Sequence, residues 1–322
     1  MAIQITPEEL KKSAHEFRRM LLSVPAFALK DLLPYITVRG NVNYKQTTGQ
    51  ISNSAQFGPY DPKRKGNTTK IDGRTLESLL ASVIAEFDHD GVFQSIYHSF
   101  PVPGEGLKNT AIAKAVLTAM MQSMSEGLHD HVFNAKRKDD GTTTVDLFNG
   151  FDTIANTEIT AGNISTAKGN LFNFGAVVDN NNALEAAKEF YRSADPKLKT
   201  VKTYMYVPVD FLEAYEDDYQ QSVGATPYNK SFEKTFLEGS RGLCEILPLY
   251  SKAGSDILQL TTKNNMILGS GSGGHPDEKV DVDRFSPFML TMSAAIVVGA
   301  QYDSIHPRRA HFGKLKLAEG GE

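Results

Sequence analysis

The chain has no tryptophan and a single cysteine among its 322 residues. One cysteine excludes an intramolecular disulfide framework and any zinc site built from several thiolates. Its neighbours Leu243, Ile246 and Leu247 mark Cys244 as a small buried hydrophobe rather than a reactive thiol. Long apolar runs are also missing. The longest, Phe288 to Ala300, is about 13 residues with Thr291 and Ser293 inside it, whereas about 20 are needed to cross a bilayer, so no membrane span is expected. The opening MAIQITPEEL has no basic stretch ahead of an apolar one, so no secretory signal is readable and a cytoplasmic product is expected. Nor is there a large excess of one charge: 34 Lys and Arg face 38 Asp and Glu, a net charge of -4. With 40% hydrophobic residues, the chain can build a core of one large or two ordinary domains.

Catalytic and cofactor signatures are absent. Gly269, Gly271 and Gly274 fit the spacing of a dinucleotide fingerprint, but His275-Pro276-Asp277 and the alternating Val280 and Val282 follow them. That is turn and strand, with no helix N-terminus to receive a pyrophosphate, so the glycines are expected to form a flexible turn. His129 and His131 point about 200° apart on a helix and cannot share a metal, and His15-Glu16 lacks a second histidine four residues on. Asp88-His89-Asp90-Gly91 lacks the later ligands of a calcium loop. No Ser lies in a nucleophile elbow. No catalytic residue, cofactor or metal is therefore assigned, and the chain is not expected to be an enzyme.

Charge is unevenly placed. Between Ile36 and Thr75, Arg39, Lys45, Lys63, Arg64, Lys65, Lys70 and Arg74 face only Asp61 and Asp72. That segment carries +5 in a chain of net charge -4, leaving -9 elsewhere. Such asymmetry points to a partner. With a pI near 6.1 and no aromatic residues interleaved with Lys63 to Lys65, a protein partner is favoured and contact with nucleic acid would be non-specific.

Thr6-Pro7-Glu8-Glu9 is a capping box, and Leu10, Ala14, Phe17 and Leu21 follow at helical spacing, predicting an amphipathic helix that ends before Pro25. Ile36, Val38, Gly40, Val42 and Tyr44 alternate with polar residues and predict a strand. About thirty residues poor in large apolar side chains come next, too many for an ordinary loop. With the strand before them and the apolar stretch Leu76 to Phe87 after them, they predict a long protruding hairpin. Ile112, Val116, Met120, Met124, Leu128 and Val132 recur at steps of four from a cap at Asn109 or Thr110. They predict one helix of about 26 residues, about 40 Å long.

Further on, the pattern predicts helices over 146–156, 183–193 and 209–221, strands over 201–207, 244–249, 257–260 and 265–268, and a long strand pair within 279–300. The tail from Ser304 reads as polar and basic. Glu213, Glu216, Asp217 and Asp218 read as the solvated face of a helix that a basic partner could use. Helices and short strands without regular alternation indicate an α+β fold.

In this order of parts the chain resembles the major capsid proteins of tailed bacteriophages, the HK-97 type fold, and particularly those of phages infecting Bacteroidetes. The residues that carry the likeness are TYMYVPVDFLEAYEDDYQ, EILPLYSKAGSD, and LTTKNNMILGSG followed by the long strand ending IVVGAQYDSI. The resemblance implies an N-terminal arm over 1–35, an extended E-loop over 36–75, a P-domain with a spine helix over 76–145 and an A-domain over 146–268. It further implies returning P-domain strands over 269–300 and a C-terminal segment near the A-domain over 301–322.

The implied function is structural: self-assembly through hexamers and pentamers into an icosahedral head around DNA, formed in the host bacterial cytoplasm and ending in the virion. The implied partners are copies of the chain itself, a portal, and scaffold or decoration proteins. In that fold the E-loop lies over a neighbouring subunit, which makes the seven cations of 36–75 the candidate intersubunit contacts. An encapsulin-type nanocompartment shell shares the fold and is the alternative; a soluble α+β enzyme is the remote one. Gene neighbours would separate the first, and a discrete small-molecule pocket on a monomer would favour the second.

Overall fold

The computed structural model describes residues 7–27, 32–42, 44–53, 59–60, 69–88, 109–224, 230–231, 234–271, 274–284 and 289–316. Its helices are α1 (Pro7–Glu16), α2 (Arg18–Phe27), α3 (Asn109–His131), α4 (Phe151–Thr160), α5 (Ala183–Ser193) and α6 (Val209–Val223). The first strands are β1 (Thr37–Arg39), β2 (Lys45–Asn53), β3 (Thr69–Glu77), β4 (Leu79–Asp88) and β5 (Leu171–Asn173). β6 (Thr203–Pro208), β7 (Lys230–Ser231), β8 (Lys234–Phe236), β9 (Cys244–Leu249) and β10 (Ile257–Thr261) follow. The last are β11 (Met266–Ser270), β12 (Lys279–Arg284), β13 (Met289–Tyr302) and β14 (Ala310–Lys314).

These strands form two sheets and a separate hairpin. In the first sheet β13 is the long central element, paired antiparallel with β4 on one side and with β12 and β11 on the other, while β1 runs parallel to β11. The second sheet has the order β5-β14-β10-β6-β9-β8-β7. Among the described residues β2 and β3 pair only with each other, from Lys45 opposite Glu77 to Asn53 opposite Thr69. A hairpin is thus present, but its arms are 45–53 and 69–77, mostly within the polar stretch, and not the expected 36–44 and 76–87, whose strands β1 and β4 join the first sheet.

Three apolar clusters hold the layers. Leu10, Leu21, Val116, Leu117 and Met121 of the first three helices cover Val282, Leu290, Met292 and Ala294 of the first sheet. Residues 290, 292 and 294 lie on one face of β13, as period-two geometry requires, whereas Val297, Val298 and Ala300 farther along are buried on both faces. Met205, Val207, Ile246, Leu258 and Leu260 of the second sheet pack under α5 and α6. Its other face carries Tyr206, Leu247, Ile257 and Phe312, which meet Phe133, Phe151, Leu268 and Tyr302 and so join the two sheets.

Several expectations are corrected. The alternation over 36–44 yields only β1, because Asn41 and Tyr44 adopt left-handed backbone with φ of 56° and 55° and break the extended run. The N-terminal helix does not stop at Pro25. It pauses at Phe17, with hydrogen bonds from Phe17 N to Ser13 O and Leu21 N to Phe17 O continuing through, and Pro25 sits inside α2. The spine helix has 23 residues. Steps of four advance by about 400°, so a strict ladder drifts about 40° per step. The buried face therefore mixes steps of three and four, through Ala113, Val116, Leu117, Met121, Ser125 and Leu128, leaving Met120 and Met124 half-buried at its rim.

In place of one helix over 146–156 there is a 3-10 turn, Thr144–Asp146, and then α4. Gly269 is part of β11, which straddles positions 268 and 269. The polar tail contains β14, inserted between β5 and β10, with His311 and Phe312 buried. His89 to Gly91 lie outside the described residues.

Candidate assembly surfaces

Two short stretches position the root of the basic hairpin. Gly269 and Gly299 are paired across β11 and β13. A Cβ on Gly299 would fall against the backbone carbonyl of Glu77, and one on Gly269 would press on Leu76. The chain leaving β3 can pass this close to the sheet only because these positions lack side chains.

Of the seven candidate cations, Arg74 is fixed within the chain. Its Nη2 donates to Glu158 Oε1 at 2.7 Å and to Gln301 Oε1 at 2.9 Å, while Gln301 Nε2 donates to the Thr75 carbonyl at 3.0 Å. Both partners of the Arg74–Glu158 ion pair are largely shielded, at 15% and 18% side-chain exposure. Arg39 lies 4.0 Å from Asp303, which also accepts from Arg309 at 2.9 Å. Lys45 pairs with Glu77 across the hairpin at 2.9 Å, in the open. Lys70 lies on β3 opposite Ser52. Lys63, Arg64 and Lys65 lie outside the described residues.

At the entry to the hairpin the Tyr44 hydroxyl donates to Asp277 Oδ2 at 2.5 Å, which raises the phenol above its usual pKa. The Tyr44 ring meets His275 edge-on at 4.6 Å. Beneath it Glu278 is fully buried and accepts from the Val297 amide at 3.1 Å. The side chain of Glu278 fills the space that a Cβ on Gly271 would need.

Sequence reasoning missed a buried polar cluster where the two sheets meet. Lys252 Nζ donates to both oxygens of Asp152, at 2.7 and 2.8 Å, and to Gln259 Oε1 at 2.8 Å. Gln259 Nε2 donates to Asp152 and, at 3.2 Å, toward the Tyr302 hydroxyl, which itself donates to the Phe151 carbonyl at 3.1 Å. Lys252 also sits 4.6 Å from the centre of the Phe133 ring. Burial lowers the Lys252 pKa and Asp152 opposes that fall; burial raises the Tyr302 phenol well above its usual value. A lysine beside a carboxylate and an amide can look like acid–base machinery. With Lys252 and Gln259 fully buried, no substrate reaches it, and its chemistry is that of a satisfied internal ion pair.

The acidic run on α6 divides in two. Asp218 is buried and accepts from the Leu184 amide at 2.7 Å, and Glu216 accepts from Thr235 at 3.1 Å. Glu213 and Asp217, with Asp210 one turn before them, remain exposed. Cys244 is buried, and burial pushes its thiol up to about 12. Among the described residues no group of three His, Cys, Asp or Glu could hold a metal ion, and no helix is long and apolar enough to cross a membrane.

No protein-family profile and no curated protein matches the chain. Solved structures do. The capsid of a native GTA particle is 13% identical, with 90% of this chain and 91% of that one covered at a TM-score of 0.58. A procapsid of satellite phage P4 that includes the size determination protein is 10% identical, covering 92% and 91% at 0.56. The capsid of Myoviridae phage XM1 is 10% identical, covering 87% and 90% at 0.51. At such identities the likeness is one of fold: an α+β fold of the HK97 capsid type along about nine-tenths of the chain.

Proposed function

We propose that this chain is a major capsid protein, a structural subunit that assembles through hexamers and pentamers into the icosahedral, DNA-filled head of a tailed phage or a related particle. The observation that carries this reading is the match over about nine-tenths of the chain to structures of three capsids. On this reading 1–35 is the N-terminal arm, 36–75 the E-loop, and the second sheet with its helices the A-domain. Portal, scaffold and decoration proteins are its further partners and the virion its destination. The narrower likeness to capsid proteins of phages infecting Bacteroidetes rests on the residue patterns within 203–305.

The charge map supports the same reading. A +5 segment on a chain whose remainder carries -9 favours docking between copies and steers their encounter. Of the candidate cations, Arg74 acts by holding the root of the hairpin. Arg39, Lys45, Lys63, Arg64, Lys65 and Lys70 remain the proposed contacts with a neighbouring copy.

Sedimentation velocity of the full chain at low and high salt, followed by negative-stain microscopy of the fastest species, tests the proposal. Pentamers, hexamers or closed shells are expected. A monomer at every salt and protein concentration overturns it.

A further inference from the structure

The second sheet carries surfaces of opposite sign on its two sides. On the α4 side, between the hairpin root and the loop before β14, lies an open cleft of about 660 Å³ lined by Arg74, Lys168, His306 and Asp303 among others. Arg308 follows this lining directly, exposed and without an ion partner among the described residues, as is Lys168. Of the cations, Arg74 and Lys168 line the cleft; Arg74 is paired with Glu158, and Arg39 and Arg309 are paired with Asp303, which leaves Lys168 and Arg308 as the uncompensated charges here.

The cleft is held in shape. Asn170 is buried and donates to the carbonyls of Ile305 at 2.9 Å and Asn163 at 3.2 Å, while its Oδ1 accepts from the Ser165 amide at 2.9 Å. Asn265, also buried, accepts from the Ser304 amide at 2.8 Å. Two buried amides thus pin both rims before any ligand arrives.

The other side of the sheet is covered by α5 and α6. Phe211, Tyr215, Asp218 and Tyr219 turn α6 inward. Asp210, Glu213 and Asp217 are spaced i, i+3, i+7 and form one exposed stripe on its outer face. None of the three has an ion partner among the described residues.

We propose that the basic cleft receives the acidic outer face of α6 from a second copy of this chain; the inference rests on the shell-protein reading above and names one contact within it. In a two-fold pair each patch must meet its complement across one shared face. Here the patches lie on opposite sides of one sheet, so a copy that fills the cleft leaves its own cleft open to the next copy. That is a head-to-tail arrangement, which closes into a ring when the rotation allows. Each exposed charge pair is individually weak, but the same contact recurs at every subunit and like charges brought together oppose every wrong register.

The test uses the full chain and charge reversal on each side. One variant carries Lys168→Glu and Arg308→Glu, a second carries Glu213→Lys and Asp217→Lys, and a third carries all four. Sedimentation velocity at low salt should show each of the first two needing about tenfold or more protein for half-assembly. The fourfold variant should regain assembly. An equimolar mixture of the first two should also assemble, but only into rings of even number, because each variant then binds only the other. Thermal melts report whether each protein is folded, and the mixture tests the contact even where the fourfold variant is not.

Wild-type rings together with half-reversed variants that assemble equally well would overturn this contact and leave the shell reading intact. Folded half-reversed variants that fail to assemble, both alone and when mixed, would overturn it in the same way. A wild-type protein that stays monomeric removes both.

Discussion

Arg74 Nη2 reaches Glu158 Oε1 at 2.7 Å across 84 residues of sequence, and through this pair the root of the basic hairpin is tied to α4 on the second sheet. Truncating the guanidinium would take the charged donor from the largely shielded Glu158 carboxylate and from the Gln301 carbonyl oxygen, leaving them only Asn163 Nδ2 and the Tyr302 amide. The expected cost of Arg74→Ala is about 1–3 kcal/mol, measured by denaturant unfolding. Hydrogen exchange should quicken along β2 and β3 at the same time, because the hairpin has no further partner strand among the described residues. An unchanged exchange pattern would show that the hairpin does not depend on this anchor.

The Lys252–Asp152 pair should behave asymmetrically. Lys252→Met strands a buried carboxylate and should cost about 3–5 kcal/mol. Adding Asp152→Leu removes that stranded charge, so the double variant should be more stable than the two single losses summed. Strict additivity in a double-mutant cycle would argue that the two groups do not act as a pair.

Acid should weaken the fold through His311. Its ring stacks on Phe190 at 5.1 Å and shares a hydrogen bond with Ser193 Oγ at 2.8 Å, and burial lowers its pKa from 6.5 to about 4. Between those values the unfolded chain holds the proton and the folded chain does not. The stability tied to this neutral imidazole is therefore complete above about pH 6.5 and is lost as the pH falls toward 4, by about 3 kcal/mol in all. Unfolding curves from pH 7.5 to 5 for wild type and His311→Gln should converge, with the slope smaller in the variant. Parallel curves would assign the acid loss to other groups.

Gly299→Ala places a methyl group against the Glu77 carbonyl. Backbone cannot rotate away as a side chain can, so a loss of about 1–3 kcal/mol is expected in thermal or denaturant unfolding. A neutral result would mean that the connection between β3 and β4 shifts freely.

Reversing Lys63, Arg64 and Lys65 to Glu should lower the yield of assembled particles and flatten its dependence on salt, since screening then has less attraction to remove. Light scattering across a salt series reads both. An unchanged yield would take this segment out of the intersubunit contact.

Local pattern was enough for much of the fold. Helix 183–193 lies where the pattern predicts it because its buried side chains recur at the helical period, and strand 244–249 because a short apolar run suits a strand buried on both faces. The strand expected over 36–44 fails at Asn41 and Tyr44, whose left-handed backbone is held by tertiary contacts such as the Tyr44 bond to Asp277. β14 was not legible. Five residues after Arg308 and Arg309 carry little pattern, and they become a strand because β5 and β10 lie ready on either side.

The candidate surfaces were legible to the same degree. The uneven charge of 36–75 is a property of composition, and so is the acidic run on α6. Which of these charges remain free is not. Arg74 and Asp218 look like their neighbours in sequence, yet both are engaged inside the chain, while Lys168, which belongs to no charged run, lines an open cleft and Arg308 of the basic tail borders it.

The sequence by itself determined the periodicities, the missing catalytic signatures and the charge asymmetry, since each depends on residues close together along the chain. Tertiary structure alone decided the pairings of Arg74 with Glu158 and Lys252 with Asp152, and the placing of acidic and basic surfaces on opposite sides of one sheet. Those pairs are 84 and 100 residues apart, and a contact over such a distance is set by how layers pack rather than by any local preference.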